Sequence, residues 1–236
     1  MGKFKILIIN LEKNKERKEK LEKQFKAYSI SNYEFIEAID GSLMIDELVP
    51  MPFGWHRHNV GEKYAKHFKN EEIACLKSHI KAIKRAQELN LDFVVILEDD
   101  VIICEDWNKR LSKLLSLTPK KWNHIFLSGL LNEREKQTQF MPLNFAPFLH
   151  IEKSRITMGA FSYILKNEIF NIVKNSFSLF NQTTDNVIEE LMKANLINSY
   201  TFYPFLSYHD NDIKSEIWGE KYNLNHESIR YFVKNM

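Results

Sequence analysis

A chain of 236 residues, 44% hydrophobic and 13% aromatic, is long enough to bury a substantial core and to form one large domain. Its 33 basic and 31 acidic side chains leave a formal charge of +2, which excludes the whole-protein basic field used by duplex binders and argues against nucleic acid as a partner. Cys75 and Cys104 are too distant in sequence for a zinc knuckle and sit in apolar patterns, which fits free thiols in a reducing compartment.

Lys5 to Asn10 is a short apolar run that predicts a strand, and Leu21, Phe25 and Tyr28 then recur at i, i+4 and i+7 in a charged stretch that predicts an amphipathic helix. The opening MGKFKILIINL passes directly into that helix without a small-residue cleavage site, and no segment is long enough to span a membrane, so a cytoplasmic chain is expected. Gly2 does not signal myristoylation, because Ile6 stands where that pattern needs Ser or Thr. Residues 1–26 hold nine Lys or Arg against four Glu, a local excess of five positive charges. A solvated helix face accounts for this with fewer assumptions than a patch for anionic membrane, although peripheral contact with an inner membrane stays open.

Tyr33 to Ile39 predicts a second strand ending at the Asp40-Gly41 turn signal, and Ile73, Leu76, Ile80 and Ile83 mark one face of a helix over 71–89. Residues 93–103 read FVVILEDDVII, with Glu98, Asp99 and Asp100 set between two apolar runs. Such a run predicts a buried strand of a parallel sheet, and three carboxylates crowded at its end call for a cation. Trp107, Leu111, Leu114 and Leu115 predict a helix ended by Thr118-Pro119, followed by a strand over 124–128. Further strands are expected over 148–153, 157–165 and 200–203. Asn167 is expected to cap a helix through Lys174, and Asp185 to open a helix carrying Val187, Ile188 and Leu191.

Strands alternating with helices predict an α/β fold with a mostly parallel, twisted, Rossmann-like sheet flanked by helices. With no repeat or flexible linker, residues 1–236 read as a single domain. It divides along the chain into 1–129, 130–217 and a helical tail over 218–236. The stretches 41–68 and 130–147 read as long loops of the kind that carry function. Trp55, His56 and His58 fit an acceptor-contacting lid better than a second metal pair.

Open α/β sheets place ligands beyond the carboxyl ends of their strands, where Glu98 to Asp100 are expected. Carboxylate oxygens suit Mg²⁺ or Mn²⁺, which bind diphosphate oxygens, and the dinucleotide and Walker glycine patterns are both missing. A metal would then neutralise much of the charge on a departing nucleoside diphosphate.

Several blocks, in order, make the chain similar to glycosyltransferase family 25, the lipooligosaccharide and lipopolysaccharide galactosyltransferase family. These are ILIINLEKNKERKEKLEKQF (6–25), YEFIEAIDG (33–41), EIACLKSH (72–79), VVILEDDV (94–101), TMGAFSYILKNEIF (157–170), TTDNVIEE (183–190) and YPFLSYHDNDIKSEI (203–217). EIACLKSH followed by ILEDDV is the specific combination. The resemblance implies a glycosyltransferase A type fold, a UDP-galactose donor, inversion at the anomeric carbon and a lipooligosaccharide acceptor.

Inversion in one displacement needs a general base, for which Asp185 is the candidate, its ionised form favoured at a helix start; a simple capping role is the alternative. Asp100 is expected to ligate the metal directly, with Glu98 and then His209 as further ligands, His209 departing from the family pattern. Alternation along the strand would put 98 and 100 on one face, and Asp99 toward the donor. Asn10 and Leu11 at the first strand's end, Arg17 near the diphosphate, Ile39 and Asp40 at the second strand's end, and His79 complete the expected donor pocket. A metal-dependent nucleotidyl or phosphoryl transferase, or a non-catalytic scaffold in glycan assembly, would also carry such carboxylates.

Overall fold

The computed structural model describes residues 2–45, 50, 67–128, 149–150, 160–180, 182–202, 205–210 and 212–217. In chain order the elements are β1 (Phe4–Asn10), α1 (Lys15–Ala27), β2 (Tyr33–Glu37), α2 (Asn70–Glu88), β3 (Phe93–Glu98), β4 (Val101–Ile103) and α3 (Trp107–Leu117). There follow β5 (His124–Phe126), β6 (Leu149–His150), β7 (Ser162–Lys166), α4 (Phe170–Phe177), α5 (Thr184–Lys193), β8 (Ser199–Phe202) and β9 (Ser207–His209).

Seven strands form one sheet in the order β2-β1-β3-β7-β5-β8-β6, and five of them, β1, β2, β3, β5 and β8, run in one direction. The expected α/β class, with a mostly parallel sheet between helices, is present. Both faces are covered, which is why β1 and β3 read as unbroken apolar runs. Leu7, Ile9, Val94 and Ile96 pack with α2, α4 and α5 on one face. Ile6, Ile8, Phe93, Val95 and Leu97 pack with α1 and α3 on the other.

From β1 the chain moves outward to β2 and then crosses back over β1 to β3, so the connections leaving β1 and β3 diverge. In open α/β sheets such a divergence leaves a crevice beyond the carboxyl ends of the two neighbouring strands, the usual ligand position. Gly41 helps close the side of this region. A Cβ there would lie 2.5 Å from the Glu71 Cα, so only glycine allows the 3₁₀ turn Gly41–Leu43 to approach the start of α2. The helix itself starts where the Glu72 carboxylate accepts from the Lys69 backbone N–H at 2.8 Å.

Several boundaries differ from the sequence expectation. The strand expected over 157–165 runs Ser162–Lys166 and is antiparallel to both β3 and β5. Asn167 begins a 3₁₀ turn, and α4 starts only at Phe170. The apolar residues after the acidic triplet form β4, which pairs antiparallel with β9 in a separate two-stranded sheet. Of the strand expected over 148–153, Leu149–His150 is described. Trp55, His56 and His58, the stretch 130–147 and the tail 218–236 lie outside the described residues, as does most of 41–68.

Candidate active site

The acidic triplet is not one strand. β3 ends at Glu98, Asp99 and Asp100 form a tight turn, and β4 begins at Val101. Strand alternation therefore cannot put Glu98 and Asp100 on one face, and each of the three carboxylates turns to a different set of partners.

Asp99 turns toward β1 and α1. Its two oxygens accept from Asn10 Nδ2 at 2.7 Å and from Arg17 at 3.1 Å. Burial, reinforced by the neighbouring charge of Asp100, pushes its carboxyl up to about 6 in spite of the Arg17 guanidinium. Three expected donor-pocket residues, Asn10, Arg17 and Asp99, are thus one hydrogen-bonded group, with Leu11 half-buried beside them.

Asp100 turns toward β9. Its Oδ2 lies 3.2 Å from His209 Nε2, and its backbone carbonyl accepts from the Asp210 N–H at 2.7 Å. The β4–β9 pairing sets this approach by placing His209 opposite Val101. Burial alone would lower the His209 pKa, but the hydrogen bond and charge of Asp100, with Glu98 and Asp210 adding, outweigh it and leave the imidazole above its ordinary value. Asp100 Oδ1 is buried and has no hydrogen-bond partner among the described residues.

Glu98 turns toward α2, where its Oε1 lies 3.2 Å from His79 Nε2. The His79 ring is fully buried, and its Nδ1 lies 2.7 Å from the Tyr163 hydroxyl. With both nitrogens engaged, His79 orients Glu98 rather than reaching a nucleotide directly. Its neighbour Ser78 is structural: its hydroxyl donates to the Ala74 carbonyl at 2.7 Å and accepts from the Ile39 N–H at 2.9 Å. Asp40 is likewise occupied. It caps the 3₁₀ turn by accepting from the Ser42 N–H at 3.0 Å and pairs with Lys13 at 2.9 Å.

Sequence alone puts the basic residues around α1 on a solvated face and does not single out Lys13, Lys20 or Glu216 as site residues. In the structure Lys13 and Arg17 both reach Glu216, at 3.6 and 3.0 Å, and Lys20 pairs with the buried Asp210. Arg17 also donates to the Lys214 carbonyl at 2.8 Å, and Asn14 donates to Glu216 at 3.1 Å. The available signal was the spacing of Arg17 and Lys20 at i and i+3, which puts two cations on one side of α1, with Lys13 in the turn just ahead of the helix.

Asp185 is the second residue of α5, and Thr183 is the capping position, so the simple capping alternative does not describe it. Burial, with the charges of Glu98, Asp185 and Asp100 adding, pushes the Cys75 thiol well above its ordinary range, against the opposing contact with the Thr184 hydroxyl at 3.6 Å.

Residues 3–202 match the family described as "Glycosyltransferase family 25 (LPS biosynthesis protein)". The chain belongs to glycosyltransferase family 25. It is 27% identical over 169 residues to "Putative glycosyltransferase R655" of Acanthamoeba polyphaga mimivirus, an alignment that takes in 70% of this chain. The chain spans about half the length, 50%, of that curated relative. A crystal structure of a glycosyltransferase involved in the glycosylation of the major capsid of PBCV-1 superposes with a TM-score of 0.51 at 13% identity, covering 87% of this chain and 91% of that one. At that identity the likeness is one of fold.

The donor set fits the divalent cation expected for this family-25 chain. Asp100 carries a buried oxygen, Oδ1, without a partner among the described residues, and its other oxygen lies against the His209 imidazole; a hard cation satisfies such a group.

Proposed function

We propose that this chain is an inverting hexosyltransferase that moves galactose from UDP-galactose to a sugar hydroxyl of a lipooligosaccharide. The single domain would use residues 1–129 for the donor and 130–217 for the acceptor. Family membership supports sugar transfer over nucleotidyl transfer and over a scaffold role, and the family description supports a lipopolysaccharide-type acceptor. The observation that carries the catalytic reading is the buried, half-satisfied Asp100 in the turn between β3 and β4, beside His209.

In this reading Asp100 holds Mn²⁺ or Mg²⁺, with His209 and Glu98 as the further ligands. The cation, when bound, neutralises charge on the departing UDP. Asp99, fixed by Asn10 and Arg17, faces the donor's ribose or sugar, and Leu11, Ile39 and Asp40 border the nucleotide. His79 serves the donor side by holding Glu98. Asp185 takes the proton of the acceptor hydroxyl as the new glycosidic bond forms on the face opposite the leaving UDP.

A lipid-linked acceptor would bring the chain to the cytoplasmic face of the inner membrane as a peripheral protein. Among the described residues no helix is long and apolar enough to cross a membrane. Lys13, Arg17 and Lys20 are engaged with carboxylates, so any contact with anionic lipid falls to the lysines of α1 other than Lys20. A donor screen tests the reading, with UDP release measured for a panel of nucleotide sugars in the presence of Mn²⁺ and short glycan acceptors. UDP-galactose should lead; pyrophosphate release, or no turnover with any donor, overturns the proposal.

A further inference from the structure

Beside the carboxylate turn lies a second cluster, built around a thiol to which the proposed sugar transfer gives no role. We infer that Cys75, His79 and Glu98 form a binding site for a thiophilic divalent cation, Zn²⁺ or Co²⁺, that borders the Asp100 site and shares the Glu98 carboxylate with it. The ligand atoms of these three residues all lie within 4.8 Å of one another.

Cys75 and His79 are four residues apart on α2, one helical turn, so both side chains leave the same face toward the end of β3. Glu98, the last residue of β3, meets them from the opposite side. A tetrahedral site with zinc–sulfur and zinc–nitrogen bonds of ordinary length has ligand–ligand edges of about 3.4–3.8 Å, so closure asks for a contraction of about 1 Å. Side-chain torsions can supply that.

Two features beyond proximity favour a cation. The first is an outer partner: the Tyr163 hydroxyl, 2.7 Å from His79 Nδ1, fixes the ring and leaves Nε2 aimed at Glu98. Metal-bound histidines almost always have such a partner on the other nitrogen. The second is field: the carboxylates of Glu98, Asp185 and Asp100 all act on the Cys75 thiol, so the cluster lies in a region of surplus negative charge.

Ligand chemistry then selects the ion. A thiolate with an imidazole and one carboxylate prefers Zn²⁺ or Co²⁺ over Mg²⁺, whose preference is for oxygen alone. On loading, the thiol proton leaves to solvent, and the ring exchanges the proton that Nε2 shares with Glu98 for one on Nδ1, donated to the Tyr163 oxygen, which frees the Nε2 lone pair for the ion. Three protein ligands leave one coordination position open. The ion would replace the His79–Glu98 hydrogen bond with a clasp joining α2 to the end of β3.

The test is a Co²⁺ titration of the purified, reduced chain, followed by absorption. One equivalent should produce a thiolate-to-cobalt charge-transfer band that added Zn²⁺ removes. The band should vanish in Cys75→Ser and persist in Cys104→Ser, because these are the two thiols of the chain. No band in the unaltered chain, or one that survives Cys75→Ser, overturns the proposal. A second measurement needs no variant: Zn²⁺ should slow alkylation of Cys75, read by mass spectrometry, at least about tenfold and leave Cys104 unchanged. Equal labelling of Cys75 with and without Zn²⁺ also overturns it. Both readouts are independent of which sugar, if any, is transferred.

Discussion

Asp99 and Asp100 occupy one turn and differ in nothing but direction, yet the two sides of the crevice treat them differently. On the α1 side, Asp99 has an amide and a guanidinium on its two oxygens. On the β9 side, Asp100 has one imidazole and one buried oxygen without a partner among the described residues. A carboxylate whose hydrogen bonds are made is part of the scaffold of a site. One left half-satisfied marks where a ligand can add the missing interaction.

The sharpest way to break this comparison is Asp100→Asn. Turnover should fall to background and UDP binding in the presence of Mn²⁺ should weaken, while circular dichroism shows an unchanged fold. Near-normal turnover would mean that the orphan oxygen serves no cation. Asp185→Asn should cost about 10²–10⁴-fold in kcat, the usual contribution of a general base, with UDP affinity retained in calorimetry. Equal losses in UDP affinity and kcat would move Asp185 from the acceptor side to the donor side.

The α1 side was far more legible in the sequence than the β9 side. β1, α1, α2 and β3 announce themselves through periodicity, and Leu21, Phe25, Ile73, Leu76 and Ile83 are buried as their spacing predicts. The acidic triplet stands out because charge is rare inside an apolar run. By contrast, β4 and β9 are three-residue strands whose pairing joins Val101 to His209, and nothing local in either segment records its partner. The same holds for Tyr163 beneath His79 and for Lys20 beside Asp210. Strand alternation also failed at a particular point: it assumes that β3 continues through Asp100, whereas the chain turns at Asp99.

Acidity sharpens the comparison next. The Asp99 carboxyl titrates near about 6 in the folded chain against 3.8 ordinarily, because burial and Asp100 outweigh Arg17. A folded-state value above the unfolded one means that the folded chain holds the proton more tightly. The associated stability is fully present below about 3.8 and is lost as pH rises through about 6, an effect of about 3 kcal/mol at most for this one group. Asp99→Asn should therefore flatten the fall in unfolding free energy between about pH 4 and pH 6, measured by urea denaturation across that window. An unchanged slope would mean that Arg17 and Asn10 stabilise the charged form enough to cancel the burial cost.

The smallest expected effect concerns a pair that ties the two sides together. Lys20 on α1 reaches Asp210, which is 1% exposed, follows His209 directly and donates its backbone N–H to Asp100. Lys20→Ala leaves that buried carboxylate with the Asp212 N–H at 3.2 Å as its described hydrogen bond. A fully buried pair broken on one side costs about 3–5 kcal/mol, but the Lys20 side chain is 48% exposed and solvent screens its half of the interaction, so about 1–2 kcal/mol is expected. A double-mutant cycle with Asp210→Asn separates direct pairing from burial effects at either residue. A coupling energy near zero would make the α1 and β9 sides independent supports for Asp99 and Asp100. A coupling of about 1 kcal/mol would make Lys20 the strut through which donor-side helix and metal-side strand hold their shared turn in register.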